Sequence, residues 1–395
     1  MSEKIKVICS KCASQFKAMD DELDKLSCPN CGGKLQPASD QKVSVSVTQE
    51  QENNKSQIEG AKIISDSSTP EEKLKKLGEA VKIINNELEK VIVGQKEVIE
   101  EIIVAIVANG HCLLEGVPGL AKTLLISSIS KAMSLSFKRI QFTPDLMPSD
   151  ITGTDVIQDD PVTGKREFKF LHGPIFANII LADEINRTPP KTQAAMLEAM
   201  QEKQVSVGGK IHKLPKPFFV LATQNPLEQE GTYPLPEAQQ DRFLFKIFVG
   251  YPEKDEEKKI IELVTGQKFG EIQPILNAED IINAQKLAIS IPVADTVVEY
   301  ATNLVRSTRL NQPDTPDFVK KWVAWGCGPR ASISLISAAK AYAAITNQTN
   351  VSCEHIDRMA HPVMRHRLAV NYTARAEGVN TDTVIDKLLE TTKKY

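Results

Sequence analysis

The sequence predicts an α/β protein built around a parallel sheet, with an all-α domain after the sheet and a small cysteine-rich unit before it. Five short apolar segments alternate with helical stretches between residues 111 and 250, and they read HCLLEG, SFKRIQFT, ANIILADE, PFFVLATQNP and LFKIFVG. This alternation is typical of a parallel sheet covered by helices on both faces. After Tyr251 and Pro252 we find no further strand pattern, so the remainder to Tyr395 is predicted to be helical.

The composition divides the 395 residues into four regions, 1–36, 37–70, 71–252 and 253–395. The first contains two cysteine pairs, and the second is polar and lacks aromatic residues, which predicts a flexible tether. The third begins with two amphipathic helices that are separated near Val93 and Gly94. It continues with the strands of the sheet, and the fourth is the helical domain.

Charge and hydropathy exclude several classes of protein. Charged residues make up 25% of the chain and hydrophobic residues 41%, with a formal net charge of -3. That balance gives no general attraction to nucleic acid or to a membrane surface. No run approaches the roughly 18 apolar residues of a membrane span, and the first ten residues, MSEKIKVICS, do not form a signal peptide. We therefore expect a cytoplasmic protein.

The cysteine pairs of the first region have the spacing of a metal site. They form a C-x2-C-x15-C-x2-C pattern, which is typical of a four-thiolate zinc ribbon with the ligands Cys9, Cys12, Cys28 and Cys31. Iron in place of zinc, a redox pair and four free cysteines are the alternatives. Residues 1–36 contain six lysines, five acids and one aromatic residue, which is too little uncompensated charge or stacking surface for DNA. We expect a protein-docking module.

The segment GVPGLAKT, residues 116–123, has the outline of a phosphate-binding loop between a strand and a helix. Backbone N–H groups of such a turn surround phosphates, Lys122 would reach the β- and γ-phosphates, and Thr123 would bind Mg²⁺. We expect Gly116 and Gly119 to leave room for the phosphates. Ala121 replaces the glycine of the strict pattern, and we expect a right-handed conformation there, in which alanine is tolerated.

Two further strands end in polar residues that suit ATP chemistry. ANIILADE places Asp183 and Glu184 at the carboxyl edge of the sheet, where they would hold Mg²⁺ and polarise the attacking water. FVLATQNP ends near Asn225, which could orient that water. The alternatives are two solvated acids at a strand end and an asparagine that begins a turn.

The ordered set VIVGQ, GVPGLAKT, GPIFANIILADEINR, ATQNP, LPEAQQDRFLF and GPRA resembles the AAA+ ATPases, and within them the MoxR family. The resemblance covers about residues 80 to 370, and alanine at position 121 is common in that family. It implies an AAA+ P-loop core with a helical lid. It also implies a Walker A site, a Walker B pair (Asp183, Glu184), sensor 1 (Asn225), an arginine finger (Arg242), sensor 2 (Arg330) and adenine contacts (Val93, Gly94). The implied Walker A residues are Gly116, Val117, Pro118, Gly119, Leu120, Ala121, Lys122, Thr123 and Leu124.

The arginine finger implies an assembly, because it completes the charge of the transition state from a neighbouring subunit. The resemblance implies a homo-oligomeric ring, with a hexamer as the expected size. Arg187, in EINRTPP, is a second candidate for the inter-subunit contact, and the sequence does not rank it against Arg242.

Two hairpins interrupt the core. TDVIQDDPVTGKREFKFLH alternates on both sides of a turn, and QVSVGGKIHKL turns at Gly208 and Gly209. The resemblance identifies them as a helix-2 insert and a pre-sensor-1 hairpin, whereas the plain alternative is two surface ribbons.

The main functional hypothesis is a ring-forming, Mg²⁺-dependent ATPase that remodels a protein client, with a von Willebrand A-domain partner implied by the resemblance. A DNA-linked motor is the alternative from another class, since related branches with the same insert include helicases. A magnesium-chelatase motor subunit is a close relative. A nucleotide-binding switch without turnover is disfavoured by Glu184, Asn225 and Arg242.

Overall fold

A computed structural model describes the backbone of three strands within residues 4–37 and describes residues 69–394 except 118, 160–165, 227–230, 267–269 and 314. Residues 1–60 and 61–395 form two compact units. Among the described residues, no helix has the length and apolar character that a membrane crossing requires.

The first unit contains a three-stranded antiparallel sheet. Its strands are β1 (Lys4–Cys9), β2 (Gln15–Met19) and β3 (Leu35–Pro37), in the order β2-β1-β3. The predicted zinc ligands Cys12, Cys28 and Cys31 lie outside the described residues, as does the predicted tether except for its ends. Only the backbone of Cys9, the last residue of β1, is described, and it lies opposite Leu35 in β3.

The second unit is organised by a five-stranded sheet, as predicted. The strands are β4 (Cys112–Gly116), β5 (Phe137–Gln141), β8 (Ile179–Asp183), β11 (Phe219–Gln224) and β12 (Phe245–Val249). They pair in parallel in the order β12-β4-β11-β8-β5. Because successive side chains point to opposite faces of a strand, Ile179 and Leu181 pack into one core and Ile180 and Ala182 into another. The prediction of a parallel sheet with apolar cores on both faces is confirmed.

Two hairpins project from this core, in agreement with the sequence. One consists of β6 (Gly153–Asp159) and β7 (Arg166–His172), and the other of β9 (Gln204–Val207) and β10 (Lys210–Lys213). Gly208 and Gly209 both have positive φ, +58° and +76°, which a two-residue hairpin turn of type I′ requires.

The helices confirm the predicted pair before the sheet and the helical region after it. Their bounds are α1 Pro70–Leu88, α2 Lys96–Val107, α3 Lys122–Ala132, α4 Pro148–Thr152, α5 Pro190–Glu202, α6 Glu237–Gln240, α7 Lys254–Thr265, α8 Ala278–Ser290, α9 Asp295–Arg306, α10 Asp317–Trp322, α11 Pro329–Ile345, α12 Cys353–Met364, α13 Tyr372–Ala376 and α14 Thr381–Thr391. The expectation of no strand after Pro252 was wrong. A short antiparallel pair, β13 (Val323–Trp325) with β14 (Ala369–Val370), lies among the later helices.

One buried carboxyl in α2 makes stability depend on pH. Burial raises the pKa of Glu101 to about 7, and the nearby Arg365 and Arg358 oppose the increase while Glu97 and Glu100 add to it. In the unfolded chain the group has an ordinary pKa near 4.5. Between these values the folded chain holds a proton that the unfolded chain releases, so the free energy of unfolding falls as the pH rises from about 4.5 to 7.

We therefore expect Glu101→Gln to stabilise the chain at pH 8 by on the order of 1–3 kcal/mol and to change little at pH 5. Urea denaturation at both pH values measures the difference. Glu79→Gln, on the exposed side of α1, is the control and should have little effect. Equal effects of Glu101→Gln at the two pH values would contradict the assignment.

Candidate functional site

The carboxyl ends of three neighbouring parallel strands bring the predicted phosphate loop and carboxylates together. β4 leads into the loop, β8 ends at Asp183, and β11 between them ends next to Asn225. A cavity of about 380 Å³ lies there. Its lining residues are Gly119, Leu120, Ala121, Lys122, Thr123, Arg139, Asp183, Glu184, Thr223, Gln224 and Asn225.

The backbone of the loop differs from our expectation at its unusual residue. Ala121 caps the N-terminus of α3 with φ +52° and ψ +28°, a left-handed conformation, whereas we expected a right-handed one. The expectation failed because we counted Ala121 as part of the first helical turn, which begins one residue later at Lys122. Alanine in this conformation costs about 1–2 kcal/mol relative to the right-handed form, so the loop tolerates alanine at some expense of local stability.

The glycines of the loop have two different roles. Gly119 has φ +87° and no neighbouring atom within contact of an added Cβ, so the turn itself favours glycine there. At Gly116 an added Cβ would lie 2.8 Å from the carbonyl oxygen of Val249, on the adjacent strand β12. Gly116 is therefore required by strand packing, in addition to the open phosphate path that we expected. Pro118 lies outside the described residues, and Val117 and Leu124 belong to the same loop and helix.

Lys122 is held at the mouth of the loop. Its Nζ donates a hydrogen bond to the carbonyl oxygen of Gly116. Partial burial lowers the pKa of Lys122, and the carboxylates of Asp183, Glu184 and Glu115 oppose the decrease. The ammonium group therefore lies in a half-buried site near the carboxylates of Asp183 and Glu184. These carboxylates favour its charged form, which is the form that can bind an anionic phosphate.

The Asp183 carboxylate is fixed from two sides. Thr223 Oγ1 donates to Asp183 Oδ1 at 2.6 Å, and Arg139 donates to Oδ2 from Nε at 3.0 Å and from Nη2 at 2.6 Å. Thr223 is almost fully buried, and its hydroxyl also accepts the backbone N–H of Glu184 at 2.9 Å. One hydroxyl thus sets the position of both acidic residues.

Glu184 leaves the strand in a left-handed conformation with φ +58°. Its Oε2 accepts a hydrogen bond from Gln141 Nε2 at 2.7 Å and lies 3.2 Å from Nε of Arg187. Gln141 in turn accepts from Arg139 at 2.6 Å. The two acidic residues are therefore joined by one network through the end of β5.

Sequence reasoning missed three members of this network, Arg139, Gln141 and Thr223. The missing information was the strand order. Once β5 is known to pair with β8, with Gln141 opposite Asp183, the alternation of a strand places residues 139 and 141 on the same face beside the acids. Thr223 lies two residues before Asn225, within the polar end of the strand FVLATQNP, but no role was predicted for it.

The residues predicted for adenine lie at a different cavity, of about 460 Å³. Val93 and Gly94 line it together with Ile92, Lys96 and Glu256. Gly94 has φ +72°, and a Cβ added to it would lie 2.4 Å from Glu256 Oε1. The glycine therefore allows the first turn of α7 to approach this segment.

Arg242 and Arg330, the predicted finger and sensor 2, lie near the amino ends of the strands, on the other side of the sheet from the phosphate loop. Arg242 precedes β12, whose first residue pairs with Cys112 at the start of β4, whereas its last residue pairs with Gly116 at the loop. Five residues of strand separate these edges by about 13 Å. Arg330 joins Arg242 in a cavity of about 380 Å³ that none of the residues around the phosphate loop line. Arg187, by contrast, lies beside Glu184.

Comparisons with known proteins agree with this arrangement. The model of the ATPase family associated with various cellular activities (AAA) matches residues 111–245, and that of the AAA lid domain matches residues 318–388. The chaperone MoxR1 of Mycobacterium tuberculosis is 44% identical over 305 residues, 77% of this chain and 80% of that protein. YeaC of Bacillus subtilis, an uncharacterised protein, is 41% identical over 318 residues, 80% of this chain and 94% of that one.

A solved structure shares the fold. The crystal structure of a proposed ATPase from Cytophaga hutchinsonii superposes with a TM-score of 0.76 at 42% identity, and it covers 82% of this chain and 98% of that one. Identity of this extent over most of both chains, together with the loop and the paired acids at one sheet edge, establishes the relationship. The chain belongs to the MoxR family of AAA+ ATPases and is an ATP-hydrolysing P-loop enzyme.

Proposed function

We propose that the protein is a ring-forming, Mg²⁺-dependent ATPase that couples hydrolysis to the remodelling of a protein client. In each subunit Lys122 binds the β- and γ-phosphates and Asn225 orients the attacking water. Glu184 accepts the proton of that water, and its position beside Gln141 and Arg187 keeps it at the edge of the cavity.

The donor set at the loop suits magnesium. The hydroxyl of Thr123 and the carboxylate of Asp183 both line the phosphate cavity, and hard oxygen donors together with phosphate are the ligands that Mg²⁺ prefers. Bound Mg²⁺ would neutralise charge that develops on the phosphates. Thr223, by donating to Asp183 Oδ1, holds that carboxylate in a fixed orientation.

The main support for a ring-shaped assembly is the position of Arg242. Its backbone lies at the amino edge of the sheet, about one strand length from the phosphate cavity of its own subunit. A finger must contact the transferring phosphoryl group, so a neighbouring subunit has to present it. Arg330 shares the cavity of Arg242, which supports delivery of both arginines across the same interface. A head-to-tail contact forms a ring when the rotation between subunits closes, and a hexamer is the expected size.

The first hairpin favours a protein client over DNA. Ile157 and Phe168 are opposite each other in β6 and β7 and are 61% and 74% exposed. Ile211 of the second hairpin is 63% exposed. Residues 154–172 and 204–214 together carry five Lys and Arg against four acids, which is too balanced for a DNA-tracking loop. Exposed apolar pairs of this kind offer a surface for contact with another protein.

A variant that binds ATP but hydrolyses it slowly tests the proposal of a protein client. Glu184→Gln should retain ATP and hydrolyse it at least about a hundredfold more slowly, since a general base contributes about 10²–10⁴-fold. A pull-down with this variant in ATP should capture a protein that carries a von Willebrand A domain, the partner that the family resemblance implies. Lys122→Ala is the control and should capture nothing that depends on ATP. Capture of DNA alone would overturn the client proposal.

We also propose that the first unit binds zinc through Cys9, Cys12, Cys28 and Cys31. The pairing of Cys9 with Leu35 supports this site, because Cys31 precedes Leu35 by only four residues. We expect about one zinc per chain by elemental analysis, lost in the double variant Cys12→Ser/Cys28→Ser and retained in the control Cys353→Ser. Metal content that does not change in the double variant would refute the site. Iron found instead of zinc in the wild-type protein would show that the site binds iron.

A further inference from the structure

A buried lid arginine holds the segment that carries Arg242. Arg367 follows α12, and its side chain is only 3% exposed. Its Nε donates to Asp241 Oδ1 at 2.8 Å, and its Nη2 donates to the carbonyl oxygens of Asp241 and Phe243 at 3.2 and 2.6 Å. Its Nη1 donates to the carbonyl oxygen of Leu244 at 3.1 Å. We call residues 241–244 the finger segment.

A second lid residue grips the same segment. His366 is buried, and burial together with the charge of Arg367 holds its pKa well below the ordinary value, so the imidazole is neutral. Its Nε2 lies 3.1 Å from the carbonyl oxygen of Phe243. Since a carbonyl can only accept, Nε2 carries the proton and donates.

The contacts from Arg367 and His366 bind the residues on both sides of Arg242 but not the Arg242 side chain. Asp241, Phe243 and Leu244 are all bound by Arg367, and Phe243 and Leu244 are buried. Arg242 between them is exposed. The exposed Arg330 also donates to Asp241, on its other oxygen, at 3.3 Å. Lid side chains therefore hold the backbone on both sides of Arg242, and this fixes the direction in which Arg242 projects.

We propose that Arg367 is a positioning residue for the arginine finger, which ties the orientation of Arg242 to the lid of its own subunit. This inference rests on the proposed delivery of Arg242 to a neighbour. Its consequence is that movement of one subunit's lid changes hydrolysis in the adjacent subunit, because the finger segment and the lid move as one body. A displacement of about 1 Å at a reacting group can cost about 100-fold in rate.

The test uses the full-length chain and two substitutions. Arg367→Lys keeps the charge but loses the planar set of donors, and Asp241→Asn keeps the shape of the acceptor but removes its charge. For each we expect kcat to fall by about 10- to 100-fold and the Kd for ATP to change by less than about twofold, because neither residue lines the phosphate cavity. Arg375→Lys, on the exposed side of α13, is the control and should turn over at the wild-type rate.

Mixed assemblies separate positioning from general damage. Lys122→Ala subunits cannot hydrolyse ATP but carry an intact finger, so adding them to Arg367→Lys subunits should raise turnover several-fold. Adding Arg242→Ala subunits instead should give no gain. A subunit that had merely misfolded would not recover in either mixture.

Two outcomes would overturn the inference while leaving delivery of Arg242 to a neighbouring subunit intact. One is wild-type kcat in both Arg367→Lys and Asp241→Asn. The other is that Lys122→Ala subunits restore the activity of Arg242→Ala but not that of Arg367→Lys. This result would confirm that subunits share active sites and would show that Arg367 does not act by positioning the finger. Failure of Lys122→Ala to restore either variant would instead reject delivery in trans, and the inference with it.

Discussion

Arg242→Ala is expected to lower kcat by about 10³–10⁵-fold, the range that arginine fingers contribute to phosphoryl transfer. The Kd for ATP should change by less than about threefold, because Arg242 lies at the amino edge of the sheet and does not line the phosphate cavity of its own subunit. Single-turnover hydrolysis and equilibrium binding of ATP by the assembled protein measure the two quantities separately.

Arg187 provides the comparison for that result. It contacts Glu184 at 3.2 Å within the same subunit, so Arg187→Ala should disturb the local orientation of the general base and cost less, about 10²-fold or below. A larger loss for Arg187→Ala than for Arg242→Ala would reverse our assignment of the finger.

Lys122→Ala is expected to reduce kcat/KM by at least about 10³-fold and to weaken ATP binding. The substitution removes the cation that faces Asp183 and Glu184 across the phosphate cavity, and preorganised charges in such sites contribute about 10²–10³-fold each. Binding should suffer as well, since the same ammonium would neutralise phosphate charge in the ground state. Isothermal titration with ATP and steady-state hydrolysis measure the change.

Lys131→Ala is the matched control for that experiment. Lys131 lies in the last turn of the same helix and is exposed, so its loss should change neither binding nor turnover. Nucleotide binding by Lys122→Ala at wild-type affinity would mean that the loop does not hold the phosphates.

Much of the site could be predicted because it depends on local patterns. An apolar strand that ends in Asp183 and Glu184, and a loop that ends in Lys122 and Thr123, place their side chains at the carboxyl edge of any parallel sheet. The five strands themselves were predictable because they alternate with helical stretches, and four of them are short, largely apolar runs between polar turns. The exception is β5, FKRIQ, which carries exposed basic residues.

The rest depended on tertiary contacts that no local pattern encodes. The left-handed conformation of Ala121 follows from where α3 begins, and helix boundaries are poorly defined by sequence. The β13–β14 pair has strands of only three and two residues, too short to produce a period. The role of Arg367 emerged only when its four acceptors in residues 241–244 came together with it across more than a hundred residues of chain.

The most direct test of shared active sites is to mix Arg242→Ala and Lys122→Ala subunits, each inactive alone. In a ring, an intact site of an Arg242→Ala subunit meets an intact finger of a Lys122→Ala neighbour. A 1:1 mixture should therefore regain up to about a quarter of wild-type turnover if subunits mix randomly around a closed ring. Turnover that stays at the level of the separate variants, in mixtures verified to contain both subunits in one assembly, would contradict the account.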